Sequence, residues 1–271
     1  MTPSRPALKY YGGKWKTAPW IISFFPHHTN YLEPCGGAAS VLLQKKPASL
    51  ETYNDIDERV VNFFKVLRAD PAKLVSLIQL TPWARQELSE DPLEDARRFF
   101  VSSWQAFSHA TQSWRCQKSY TTRQRAPSRD MIDIDHLSII AQRLQRVQFE
   151  HGDALDVIKK FDDKETLIYF DPPYLASVRC HVDRYAFETD ATFHQKAAEL
   201  LRSAKGMVIV SGYACQEYKD LYENHGWIRH DKNVTCNAGA KRTESIWLSP
   251  HTVKALGRPQ QANLFPEMAT A

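Results

Sequence analysis

Short uninterrupted apolar runs alternate along this chain with segments whose apolar positions recur every three or four residues. Thr166-Leu167-Ile168-Tyr169-Phe170 and Met207-Val208-Ile209-Val210-Ser211 are runs of the first kind, with the length of strands buried on both faces. Residues 49–53 read as another strand, Tyr31-Leu32 ends an earlier one, and Gln148-Phe149-Glu150 starts a later one. Val60, Phe63, Phe64 and Leu67 lie at helical spacing behind Asp57, an N-capping residue type. Helices are also predicted over 38–44, 94–108, 135–146, 154–161, 190–203 and 215–223. Strands alternating with helices predict an α/β fold.

The sharpest chemical feature follows the run ending at Phe170: Asp171-Pro172-Pro173-Tyr174. It falls at a strand's carboxyl end, where open α/β sheets place ligands. Two prolines remove two N–H donors and leave carbonyl acceptors beside a carboxylate and an aromatic face. That set suits a flat base with an exocyclic amine, held by the acceptors and stacked on Tyr174. Taken alone, the four residues fit a tight turn with a capping Asp equally well.

Earlier in the chain, Tyr31-Leu32-Glu33-Pro34-Cys35-Gly36-Gly37 ends an apolar run in a glycine turn, which lets a ligand approach the backbone. Two adjacent glycines do not meet the three-glycine dinucleotide fingerprint, which disfavours hydride chemistry. Asn54-Asp55-Ile56-Asp57 follows the second strand. Asp55 there is placed to accept ribose hydroxyls, and Asp57 to cap the next helix.

Lys9-Tyr10-Tyr11-Gly12-Gly13-Lys14, Glu33-Pro34-Cys35-Gly36-Gly37-Ala38, Asp55-Ile56, His151-Gly152-Asp153 and Asp171-Pro172-Pro173-Tyr174 stand in that order. Together they resemble the successive motifs of the Dam-type (D12 class) DNA adenine-N6 methyltransferases. The late segments Met207 to Tyr213 and Lys241 to Leu248 are similar to those of phage-encoded members, and the likeness runs from Leu8 to Ser249. It implies a Rossmann-like seven-stranded sheet that binds S-adenosylmethionine and methylates the amine of an adenine flipped out of DNA, as in restriction-modification. By matching positions, Tyr10 and Lys14 would contact the cofactor, Asp55 its ribose, Asp153 its adenine, and Asp171 both its methionine end and the target amine. Glu33, Pro34, Gly37 and Ile56 complete the implied cofactor site. Cys35 stands where the family usually has Phe, and Ala39 where it often has glycine, which bears on how tightly the cofactor is held. An RNA adenine methyltransferase, or a silent homologue that only binds DNA, would carry much the same motifs.

The implied chemistry accounts for the residue types. Adenine's amine lone pair is delocalised into the ring, and Asp171 with the Pro172 carbonyl would localise it by accepting both N–H bonds. An ionised Asp171 would then stabilise the positive charge that grows on nitrogen. No metal is needed. The five cysteines are scattered without a Cys-x-x-Cys pair, and no His-x-x-x-His face occurs.

Composition adds less. At 271 residues and 43% hydrophobic, the chain can build one large core. Odd, dispersed cysteines and the lack of a signal peptide or spanning stretch predict a soluble cytoplasmic protein. The net charge of +4 says little about nucleic acid, but its distribution says more. Residues 96–129 contain no acidic residue, yet carry Arg97, Arg98, Arg115, Lys118, Arg123, Arg125 and Arg129, with Trp104, Trp114 and Tyr120 between them. Arg115, Lys118, Tyr120, Arg123, Arg125 and Arg129 are the expected DNA contacts, the cations on phosphates and the aromatics on bases. The expected organisation is a cofactor half over 1–80, a mainly helical target-recognition insert over 81–147, a catalytic half over 148–254 and a disordered tail over 255–271. Within that tail, Gln261, Leu264 and Phe265 resemble the short peptides by which bacterial DNA-processing proteins dock on the sliding clamp.

Overall fold

A computed structural model describes residues 3–80, 91–105, 134–175, 177, 187–235 and 241–257. Among them a seven-stranded sheet runs in the order β3-β2-β1-β4-β5-β7-β6. Its strands are β1 (Asn30–Glu33), β2 (Leu50–Asp55), β3 (Val147–His151), β4 (Thr166–Phe170), β5 (Met207–Gly212), β6 (Ile228–Thr235) and β7 (Lys241–Leu248). The first five are parallel, while β7 inserts antiparallel between β5 and β6. Strand order reverses between β1 and β4, so their carboxyl ends open side by side into a crevice.

The apolar runs alternate across the sheet with period two. Tyr31, Tyr53, Leu167, Tyr169 and Ile209 face one core, and Leu32, Ile168, Phe170, Val208 and Val210 face the other. The first core is covered by α2 (Glu58–Ala69), α3 (Pro71–Gln79), α4 (Pro92–Gln105) and α5 (His136–Arg143). The second is covered by α6 (Ala154–Phe161), α7 (Ala191–Arg202) and α8 (Gln216–Leu221). Short α1 (Ala18–Ile22) precedes β1, and α9 (Pro250–Leu256) follows β7. Asp57 caps α2 as expected, accepting the Arg59 N–H. Asp153, Asp190 and Ser249 cap α6, α7 and α9.

Three expectations meet a different structure. Residues 38–44 form consecutive turns instead of a helix: Ala39 takes a left-handed φ of 53°, and the Leu42 N–H goes to the Glu33 carboxylate at 3.0 Å. Trp104, expected among base-contacting aromatics, is buried between Arg5 and Lys9, and its indole N–H donates to the Ala7 carbonyl. Arg97 and Arg98 pair with Glu94, two residues before the acid-free stretch begins. Helices α4 and α5, at the two ends of the expected insert, place Phe99, Phe100, Leu137 and Ile140 in the same core as α2.

Candidate active site

The crevice between β1 and β4 holds a cavity of about 260 Å³. It is lined by the segment from Tyr10 to Lys14, by the turn that runs from Glu33 to Val41, and by Asp55, Ile56 and Asp153. Asp171, Pro173 and the segment from Phe187 to Thr189 also line it. The turn comes close because it has no side chain at Gly36, where a Cβ would sit 2.1 Å from the buried Tyr53 ring. Tyr53 also donates to the Gly37 carbonyl at 2.7 Å, and Asn54 spans from the Pro34 carbonyl to the Gly152 carbonyl at 2.8 and 3.0 Å. The second strand thus holds both loops that shape the cavity.

At the carboxyl end of β4, Lys14 Nζ lies 3.1 Å from Asp171 Oδ2 and donates to the Gly12 carbonyl at 2.9 Å. The other carboxylate oxygen, Oδ1, is buried with no hydrogen-bond partner among the described residues. Burial raises the Asp171 carboxyl above its ordinary range, and the neighbouring Lys14 ammonium opposes that rise. The same ammonium stands 4.8 Å over the Tyr174 ring. Tyr174 donates its phenol to Glu244 Oε2 at 3.2 Å and meets the Tyr213 ring edge to face at 4.7 Å. Arg242 donates to the Tyr213 hydroxyl at 3.2 Å. Glu244 and Arg242 lie two positions apart on β7, so they share a face and fix both tyrosines.

Tyr10, Lys14, Glu33, Pro34, Gly37, Asp55, Ile56, Asp153 and Asp171 all line the one cavity. Pro172 and Tyr174 stand just outside its lining, behind Asp171. Asp55 Oδ2 accepts the Gly37 N–H at 2.7 Å and Oδ1 the Asp57 N–H at 2.9 Å, while burial lifts its carboxyl to about 6. Asp153 Oδ1 is taken up by the Leu155 and Asp156 N–H groups at the start of α6. Glu33 accepts from the Tyr31 phenol and the Leu42 N–H, and burial pushes it up to about 8. Arg115, Lys118, Tyr120, Arg123, Arg125, Arg129, Gln261, Leu264 and Phe265 lie outside the described residues. Glu244 and Arg242 had no assigned part in this cluster from sequence; the only signal was the segment around them. Among the described residues no three His, Cys, Asp or Glu side chains gather as a metal site, and no helix is long and apolar enough to cross a membrane.

A family model described as D12 class N6 adenine-specific DNA methyltransferase matches residues 10–236. The Type II methyltransferase M.MjaIII of Methanocaldococcus jannaschii is 24% identical, with 90% of this chain and 96% of that protein covered. Among solved structures, a proposed rRNA-methylase from Clostridium thermocellum superposes with a TM-score of 0.37 at 9% identity, covering 86% of this chain and 95% of that one. The Escherichia coli protein yhhF, a proposed methyltransferase, gives 0.36 at 9% identity, covering 86% and 82%. At these scores neither likeness bears on the activity.

Proposed function

The chain belongs to the D12 class N6 adenine-specific DNA methyltransferases and so methylates adenine in DNA; we propose that its methyl donor is S-adenosylmethionine, held in the cavity between β1 and β4. The observation that carries this reading is the buried Asp171 Oδ1, without a hydrogen-bond partner among the described residues while Oδ2 is anchored by Lys14. A buried acceptor of that kind calls for a donor from a ligand. The cavity fits the cofactor in kind. Asp55 keeps lone pairs beyond the two N–H groups it accepts, suiting ribose hydroxyls, and Ile56, the next residue, offers an exposed apolar side chain. The side-chain-free turn at Gly36 and Gly37, beside Glu33 and Pro34, lets the ligand lie against the backbone. Tyr10, Lys14 and Asp171 flank its methionine end, and Asp153 stands near its adenine.

When bound, S-adenosylmethionine supplies an electrophilic methyl group on a sulfonium. The remaining steps belong to this chain. Asp171 and the Pro172 carbonyl accept the two hydrogens of the target amine, drawing its lone pair out of the ring and towards the methyl. Pro173 stiffens the turn, and Tyr174, held by Glu244 and Tyr213, stacks on the adenine after it leaves the helix. As the methyl's bond to sulfur breaks and its bond to nitrogen forms, Asp171 would stabilise the positive charge developing on nitrogen until one of the amine protons is lost to water. The stretch 81–147 is read as the target-recognition insert, with α4 and α5 as its roots in the core. Within it Arg115, Lys118, Tyr120, Arg123, Arg125 and Arg129 would meet the duplex.

Asp171→Ala tests the assignment. Methyl incorporation into DNA at saturating cofactor should fall on the order of a hundredfold or more; near wild-type turnover would overturn it. A partner reading belongs with this function. Gln261, Leu264 and Phe265 would seat on the bacterial sliding clamp, the two apolar side chains in a pocket and the glutamine making directional hydrogen bonds. A peptide spanning 258–268 should bind purified clamp in fluorescence anisotropy and lose binding on Leu264→Ala or Phe265→Ala.

A further inference from the structure

His194, in the first turn of α7, has no exposed surface and stands outside the cavity lining. Its Nε2 lies 3.1 Å from the Pro173 carbonyl oxygen and 3.2 Å from Thr189 Oγ1, and its Nδ1 lies 3.3 Å from the Tyr218 phenol. Thr189 Oγ1 donates to the same carbonyl at 2.8 Å. A carbonyl can only accept, so Nε2 carries the ring hydrogen and Nδ1 accepts from Tyr218. The chain Tyr218 to His194 to Pro173 is therefore consistent in every donor and acceptor, and it ends on the backbone of the catalytic tetrapeptide.

We propose that His194 is a positioning residue for methyl transfer, acting through the Pro173 carbonyl; this rests on the site reading given above. Proline rings fix φ at Pro172 and Pro173, so the remaining backbone freedom there is ψ, which sets where each carbonyl points. Two donors on the Pro173 oxygen fix ψ of that residue, and with it the peptide plane that leads into Tyr174. Tyr218, buried against Trp247 and Tyr222, holds the imidazole in turn. Without the imidazole N–H the carbonyl keeps, among the described residues, only the Thr189 hydroxyl, which comes from a segment that lines the cavity. Alignment of amine, methyl and sulfur then loosens, while the groups that bind cofactor stay in place.

Three variants of the full chain test this against a purely structural histidine. His194→Leu keeps bulk and loses the donor, His194→Gln returns an N–H near the place of Nε2, and Thr189→Val removes the second donor. Single-turnover methyl transfer at saturating DNA and cofactor should slow about a hundredfold in His194→Leu, the loss typical of small misalignments. His194→Gln should recover at least about tenfold of that loss, and Thr189→Val should fall between. Dissociation constants for cofactor and DNA should hold in both His194 variants. Equal rates in His194→Gln and His194→Leu, or a loss confined to the dissociation constants, would overturn the proposal. Should His194→Leu fail to fold, an unchanged rate in Thr189→Val overturns it alone. Asp171→Ala run alongside separates the two levels: an active Asp171→Ala protein counts against the site reading, and indifferent His194 variants against this inference only.

Discussion

Glu33 gives the fold a dependence on pH. Burial lifts its carboxyl from 4.5 to about 8, against the hydrogen bonds from Tyr31 and Leu42. The folded state thus binds this proton more tightly than the unfolded chain does. Its contribution to stability is fully present below about pH 4.5 and is lost as pH rises through about 8, by on the order of a few kcal/mol. Glu33→Gln presents a neutral oxygen to the same two donors, so thermal melts of the variant from pH 5 to 9 should decline less steeply than those of the wild type. Ala39 shows a different balance. A left-handed alanine costs about 1–2 kcal/mol, but its methyl group is fully buried, which returns about 0.8 kcal/mol. Loss of glycine's unfolded-state freedom offsets roughly another 0.4–1. The departure from glycine at that position is therefore close to neutral. At this scale the sequence is legible where chemistry is local: Asp171, Lys14 and Asp55 are named by their motifs. Glu244 and His194 are not, because their contacts span 70 and 21 positions; the likeness of the segment around Glu244 singles out no residue in it, and nothing beside His194 marks it.

Elements read well where one face or both meet a core. β4 and β5 are buried along their whole length, and α6 begins and ends where its pattern does. β6 and β7 lack such a signal. β6 is the sheet's edge and reads Ile228-Arg229-His230-Asp231-Lys232, with charges that guard an open ladder. The helix expected over 38–44 fails for a related reason, since a carboxylate from β1 captures an N–H that helix formation needs. β7 nevertheless joins the site through its side chains. If Glu244 acts through the Tyr174 phenol, Glu244→Gln and Tyr174→Phe should be non-additive. Each single change should slow methyl transfer several-fold, roughly the effect of one hydrogen bond of about 1 kcal/mol, and the double variant should be little worse than either. Additive losses in the rate constant would show that the two side chains act apart.

For the whole molecule, the seven-stranded order and its switch point bring motifs from Tyr10 to Asp171 to one cavity, as the order of the motifs implied. Charge tells less. Part of the basic stretch is engaged within α4, where Glu94 holds Arg97 and Arg98 and offsets one of their two charges; the cations expected on phosphate are those further along. Replacing Arg115, Lys118, Arg123 and Arg125 by Ala should weaken DNA binding and lower the log-affinity versus log-salt slope by about one unit per lost phosphate contact, with cofactor affinity unchanged. An unaltered slope would place these side chains away from the duplex. The position of β7 adds a temporal consequence. Among the described residues it is the last strand, yet it lies inside the sheet and supplies Glu244 and Arg242. During synthesis β5 must wait with an open edge until residue 248 has left the ribosome, and the two tyrosines wait with it. A nascent chain long enough to contain every cavity-lining residue therefore lacks the strand whose side chains hold Tyr174 and Tyr213, and on the proposed reading it would not transfer methyl groups until the sheet is closed.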